Sequence, residues 1–263
     1  MYLCHKTIFR MKTNYQLRYA SNPVDAKNYD TKRLRDDFLI ERLFADEEVN
    51  MVYSMYDRMI VGGAMPKAEE LKLEAIPPLK ADYFTTRREI GVFNVGGSGY
   101  IMVGKEKFKL NFKEALYIGR GDREVVFGSD NAEEPAKFYF NSTTAHKEYP
   151  CRVVTKKDAM VAHMGSLETS NERNINKMIV SQILPTCQLQ MGMTELMPGS
   201  VWNTMPAHVH SRRMEAYFYF EVPAGQAVCH LMGEPKETRH IWMKNNQAVL
   251  SPEWSIHSAA GTH

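Results

Sequence analysis

The chain has 263 residues, of which 44% are hydrophobic and 24% charged, the make-up of an ordinary globular protein, so disorder, collagen and coiled coil are excluded. Lys and Arg total 33 against 31 Asp and Glu, a formal charge of +2 with the signs interspersed, and without a basic stripe no nucleic-acid partner is expected. No stretch approaches the roughly 18 to 20 consecutive apolar residues needed to span a bilayer, so no membrane partner is expected.

Residues 1–10 carry Lys6 and Arg10 but no apolar run with a small-residue cleavage site, so they do not read as a secretory signal, and Met11 is an alternative start. Cys4, Cys151, Cys187 and Cys229 form no CxxC pair; they read as reduced thiols of a cytoplasmic protein, where the sequon Asn141-Ser142-Thr143 carries no meaning. A short helix is expected within residues 29–44, because Leu34, Phe38 and Leu39 share one face and Asp30 or Thr31 can cap the first turn. From Val52 onward, runs rich in Val, Ile, Phe and Tyr are broken by Gly, Pro and Asn every eight to twelve residues or so, which predicts an all-β sandwich or barrel. Residues 59–61, 91–95, 100–103, 124–127 and 137–140 are examples. Residues 99–105 fit the start of a P-loop, but the next position should be Ser or Thr and is Glu106; a hairpin turn at Gly104-Lys105 explains the segment better.

The second half repeats the first. Residues 88–93 align with 214–219, Glu89 falling on Glu215, and residues 114–117 align with 247–250 at a slightly larger offset, which implies a loop insertion between the two matches. The polar stretch 145–177, with Pro150 and Gly165, reads as a linker or crossing segment between units 1–150 and 151–263.

The strongest chemical signal is Pro206-Ala207-His208-Val209-His210, followed by Glu215 and, farther on, His257. On a strand, His208 and His210 project from the same face, so one cation can take both imidazoles. Imidazoles with one carboxylate suit zinc or another first-row divalent metal and leave positions open for water or substrate. An HxH pair alone is weak, since chance supplies about 0.3 of them in a chain of this length with nine histidines. The repeat strengthens it: at the corresponding positions the first half has Asp82, Phe84, Glu89 and Glu124, so a full donor set exists in one copy only. Met191, Met193 and Met197 cluster beside this region and read as core packing.

The pattern HxHxxxxE with a later histidine, set in a duplicated β unit, resembles the cupin superfamily of double-stranded β-helix barrels. YDRMIVGG (56–63), RREIGV (87–92), TSN (169–171), NTMPAH (203–208), RMEAYFYF (213–220), ETRHI (237–241) and SPEWSIHS (251–258) resemble the 5-keto-4-deoxyuronate isomerase family, from about Met11 to the last residue. The resemblance implies a mainly β bicupin: two double-stranded β-helix, jelly-roll-like barrels with few short helices. The first (1–150) would lack metal ligands. The second (151–263) would carry one zinc per chain on His208, His210, Glu215 and His257. It also implies a cytoplasmic homohexamer acting on a small uronate in the breakdown of pectin and related polymers. The family continues past the position of His263 through a further strand, so the second barrel is expected to lack its last strand.

The implied reaction is an aldose–ketose isomerisation, in which a weakly acidic C2 proton leaves and zinc stabilises the resulting enediolate. His240 is the candidate base, with an unligated structural histidine on a strand as the alternative; Arg173 and Arg239 are candidates to pair with the substrate carboxylate, with surface arginine as theirs. The competing readings are another metal-dependent cupin enzyme, such as a sugar-phosphate isomerase or an iron dioxygenase, and a non-catalytic cupin that binds sugar acids through its metal.

Overall fold

The computed structural model describes residues 13–261. The expectations for residues 1–10, Met11, Cys4 and His263 fall outside the described residues. After a first strand over residues 13–18 come two short helices, α1 (Pro23–Ala26) and α2 (Thr31–Phe38). Asn22 caps α1 by accepting from the Val24 amide, with Pro23 supplying a preset first-turn φ, and Asp30 caps α2 by accepting from the Arg33 amide at 2.7 Å. Helix α2 buries Leu34 and Phe38 and stops there, short of the expected end at residue 44. Leu39 and Ile40 are both buried, and they extend instead to pair with Val249 and Ala248. That distant pairing overrides local helix propensity.

Apart from two single 3-10 turns, Pro77–Leu79 and Leu167–Thr169, the other elements are strands. The earlier ones are β1 (Thr13–Arg18), β2 (Leu39–Ile40), β3 (Glu48–Ser54), β4 (Ile60–Met65), β5 (Leu71–Lys72), β6 (Arg88–Asn94), β7 (Gly99–Val103), β8 (Glu106–Leu110), β9 (Ala115–Ile118), β10 (Val125–Ser129), β11 (Phe138–Thr144) and β12 (Arg152–Val154). The later ones are β13 (Met160–Met164), β14 (Arg173–Ile179), β15 (Met191–Leu196), β16 (Trp202–His208), β17 (Glu215–Tyr219), β18 (Val228–Glu234), β19 (Glu237–Met243), β20 (Gln247–Ser251) and β21 (His257–Ala260). The mainly β architecture is the one that the sequence texture predicts.

In the first half a sheet ordered β1-β3-β4-β11-β6-β9-β12 faces one ordered β5-β10-β7-β8. Ile90, Val92, Ile101, Leu116, Phe127, Phe138 and Phe140 fill the space between them. The opposite face of the larger sheet presents Phe93, Tyr117 and Tyr139, which pack with Met178, Ile179, Leu189 and Val249 in a second core shared between the halves. There Phe218 stacks on Tyr139 with ring centroids 4.2 Å apart. The second half repeats the smaller sheet in the order β16-β21-β18-β19, beside sheets β17-β20-β2 and β13-β14-β15. Strand β11 joins β4 to β6, and among the described residues no strand joins β15 to β17. Residues 99–105 form strand β7 and a turn at Gly104 (φ +60°), a hairpin rather than a phosphate loop opening a helix.

Two details differ from the sequence expectation. The stretch 145–177 carries strands as well as turns: β12 pairs with β9 of the first half, and β13 pairs with β14. The repeat is also out of step by one residue in β6. There Ile90 opposes Ile118 and points into the barrel, while in β17 it is Glu215, opposite Ser251, that begins the inward row. The counterpart of Glu215 is therefore Ile90, and Glu89 faces the other way, because side chains alternate along a strand.

Candidate metal centre

Strand β16 pairs with β21 through Trp202–Ala260 and Asn203–Ala259, then loses register and regains it only at His208–His257. Thr204 lies within that bulge in the left-handed region (φ +58°). The bulge brings His208 opposite His257; His210 follows, the chain turns through residues 211–213, and Glu215 opens β17. The donor nitrogens of His208, His210 and His257 lie within 4.8 Å of one another. His208 Nε2 is 3.3 Å from His257 Nε2, His210 Nε2 is 2.9 Å from Glu215 Oε1, and His257 Nε2 is 3.7 Å from Glu215 Oε2. The four predicted donors thus converge from β16, β17 and β21 and the turn between the first two.

The cluster suits a cation by its chemistry. His208 Nδ1 lies 3.1 Å from the Pro206 carbonyl, which can only accept, so the proton belongs on Nδ1 and the Nε2 lone pair faces the cluster. Burial, with positively charged neighbours, pulls the pKa of His210 and of His257 below the usual imidazole range, against the opposing pull of Glu215. Both rings are thereby kept neutral. With zinc–nitrogen bonds of about 2.0–2.1 Å, tetrahedral donors stand about 3.4 Å apart, which the His208–His257 separation matches. The donor set fits zinc or another first-row divalent ion.

Sequence reasoning missed the inner wall. Tyr217 and Tyr219 follow Glu215 on the same face of β17. The Tyr217 ring lies 5.6 Å from that of His257, and its hydroxyl is 3.4 Å from Thr204 Oγ1 and interacts with the Glu215 carboxylate. Burial first, then Glu215, raises the Tyr217 pKa and keeps the phenol protonated. Behind it the Tyr219 hydroxyl and Nδ1 of the fully buried His230 share a 2.7 Å hydrogen bond. His230 Nε2 has no hydrogen-bond partner, and burial drives this imidazole down to about 3. Alternation from Glu215 is the signal that could have found the tyrosines. Arg213, at the end of the turn, places Nη2 3.1 and 3.2 Å from the two ring nitrogens of His210 and Nε 3.5 Å from Glu215 Oε1.

The remaining predicted residues are not in this cluster. His230 opposes Ile241 across β18 and β19, and both face inward; His240 opposes Leu231 and turns outward, exposed against Trp242. Arg239 donates to the Lys27 and Thr238 carbonyls and lies 3.8 Å from Glu237. Arg173 is buried and donates to the carbonyl and side-chain oxygens of Asn171, each at 2.9 Å. Met191 and Met193 are buried core residues; Met197 Sδ accepts from Asn174. In the first half, buried Glu89 accepts from the amides of Cys187, Gln188 and Leu189 at 2.7–2.8 Å and from the Tyr117 hydroxyl at 2.7 Å. Its carboxylate fastens a loop of the second half and has no free oxygen for a metal.

Comparison with known proteins adds to the geometry. The sequence profile of the KduI/IolB family matches residues 38–263, from the end of α2 through every later strand. The chain belongs to the KduI/IolB family. A relative from Bacteroides fragilis, named 4-deoxy-L-threo-5-hexosulose-uronate ketol-isomerase, is 72% identical over 253 residues, which is 96% of this chain and 90% of the relative. Among solved structures, an IolB-like protein from Salmonella typhimurium superposes with a TM-score of 0.60 at 16% identity, covering 78% of each chain. Oxalate decarboxylase from Lactobacillus farciminis superposes at 0.53 with 11% identity, over 77% of this chain and 72% of that one. These likenesses place this KduI/IolB member in the cupin fold.

Proposed function

We propose that the protein is a zinc-dependent aldose–ketose isomerase that converts 5-dehydro-4-deoxy-D-glucuronate to 3-deoxy-D-glycero-2,5-hexodiulosonate. The observation that carries this is a four-donor cluster on a chain 72% identical to a named ketol-isomerase. The same reading includes two cupin barrels, over 1–150 and 151–263, and a cytoplasmic homohexamer in the breakdown of pectin or related uronate polymers. The resemblance of the quoted motifs supports these.

The substrate has an aldehyde at C1 and a hydroxyl at C2, and the product has the carbonyl at C2. A proton leaves C2 and one is delivered to C1, with the C2 hydroxyl proton passing to the C1 oxygen, so atoms balance without an oxidant. His208, His210, Glu215 and His257 would hold a divalent ion, which would supply Lewis-acid stabilisation to the developing oxyanion. Tyr217, Tyr219 and His230 wall the inner side and keep bulk water from it, which strengthens every electrostatic contact there. His240, exposed beside Trp242, lies outside this cluster.

The test is a proton NMR time course of the uronate in deuterated water, with and without chelator. Chelator-sensitive loss of the aldehyde-hydrate signal with deuterium at the new hydroxymethyl carbon is expected. An unchanged spectrum from folded, zinc-loaded protein overturns the isomerase reading in favour of a cupin that binds sugar acids.

A further inference from the structure

A uronate differs from a neutral sugar by its carboxylate, so the site needs a group that recognises an anion. Arg239 and Arg173 are spent on the backbone carbonyl of Lys27 and on Asn171, as described above. Arg213 stands apart in two respects. Its side chain is 55% exposed at the rim of the cluster. It lies against the His210 ring, whose single lone-pair nitrogen in the neutral form can accept from it, and against Glu215 Oε1, and these are atoms that the cluster offers to a cation.

One lone pair cannot serve a metal ion and a guanidinium at once, and the two like charges repel at this range. When the cluster holds a divalent ion, Arg213 loses the His210 lone pair, meets the ion's like charge beside Glu215 and keeps its own full charge, since guanidinium does not deprotonate in proteins. An exposed side chain swings on single bonds at little cost. A six-carbon acid with C1 and C2 at the cluster ends its carboxylate within a side chain's length of the rim, where the planar guanidinium offers two parallel N–H donors.

Resting on the isomerase reading above, we propose that Arg213 is the specificity-determining residue of the site: it leaves His210 and Glu215 when they hold a cation and pairs with the substrate carboxylate. The sequence places Arg212 beside it with the same charge, and that neighbour serves as the control for a general field effect.

The experiment uses the full chain loaded with zinc. Steady-state rates are measured on the uronate and on its neutral analogue with a hydroxymethyl group at C6; calorimetry measures D-glucuronate, an inert carboxylate probe, and elemental analysis measures zinc. Arg213→Gln is expected to raise KM for the uronate and Kd for glucuronate by about ten- to a hundredfold, the worth of a hydrogen bond to a charged group. KM for the neutral analogue, kcat and zinc content should change little, Arg213→Lys should recover part of the loss, and Arg212→Gln should leave the discrimination intact. Equal effects on charged and neutral substrates, zinc loss without altered discrimination, or a matching loss in Arg212→Gln overturns the proposal. Wild type that turns over neither substrate overturns the isomerase reading, and glucuronate binding by the Arg213 variants then still decides the carboxylate role.

Discussion

His208 is exposed, so removing its imidazole takes no volume from either core. His208→Ala is therefore expected to fold, to lose zinc and to lose turnover in proportion; full zinc occupancy by elemental analysis would remove it from the ligand set. Tyr217→Phe keeps the ring and deletes the hydroxyl that serves Glu215 and Thr204. Losing an orienting hydrogen bond to a metal-binding carboxylate should weaken zinc binding about tenfold in competition with a chelator, and an unchanged affinity would show that the hydroxyl does not position Glu215. The convergence of His208, His210, Glu215 and His257 was legible in sequence through the period-two spacing of the first pair and the family resemblance, whereas the repeat was one residue out of step at Glu215. Tyr217, Tyr219 and His230 were not, since an aromatic or histidine on a strand reads as core until its face is known. The candidacy of His240 depended on the same unknown: Ile241 faces inward, and that parity turns its neighbour out.

The one-residue step in β6 gives Glu89 a structural use. Its carboxylate collects three consecutive amides of the 187–189 loop, the Tyr117 hydroxyl and, at 3.3 Å, the Thr143 hydroxyl. Glu89→Gln replaces one accepting oxygen with an amino group that faces donors, which should cost about 3 kcal/mol and lower the urea midpoint while zinc uptake persists. An unaltered midpoint would mean that the loop is held by its apolar contacts alone. Most strands were readable from alternation, and so was the Asp30 cap. The early end of α2 was not, because the partner of Leu39 and Ile40 is β20, at the far end of the sequence, and no local window contains it. The pairing of β12 with β9 blurs the boundary at residue 150 for the same reason.

Across the molecule, acid should act first on the second half. His230 is neutral when folded, held down to about 3, and returns to an ordinary imidazole of about 6.5 when the chain unfolds. Between those values the unfolded state binds more protons, so the stability from burying a neutral ring is complete above about pH 6.5 and is lost as pH falls toward 3, at no more than about 1.4 kcal/mol per pH unit. His210 and His257, depressed in the same direction, add to the slope. Urea titrations across this range should show falling wild-type stability and a shallower slope in His230→Gln; identical slopes would mean that His230 is solvated and titrates normally. The repeat made two related halves legible, but a repeat carries no information about which strands the halves exchange.

That exchange sets an order of events during synthesis. Strand β2 leaves the ribosome early, and its partner β20 follows only after residue 247, whereas the larger sheet of the first half is complete once β12 has emerged. The half that bears the metal cluster is therefore expected to close last, its inner sheet waiting on two apolar residues made long before. Until then Leu39 and Ile40 present an unpaired edge, and a nascent chain arrested at this stage would offer neighbouring chains a place to add a strand of their own.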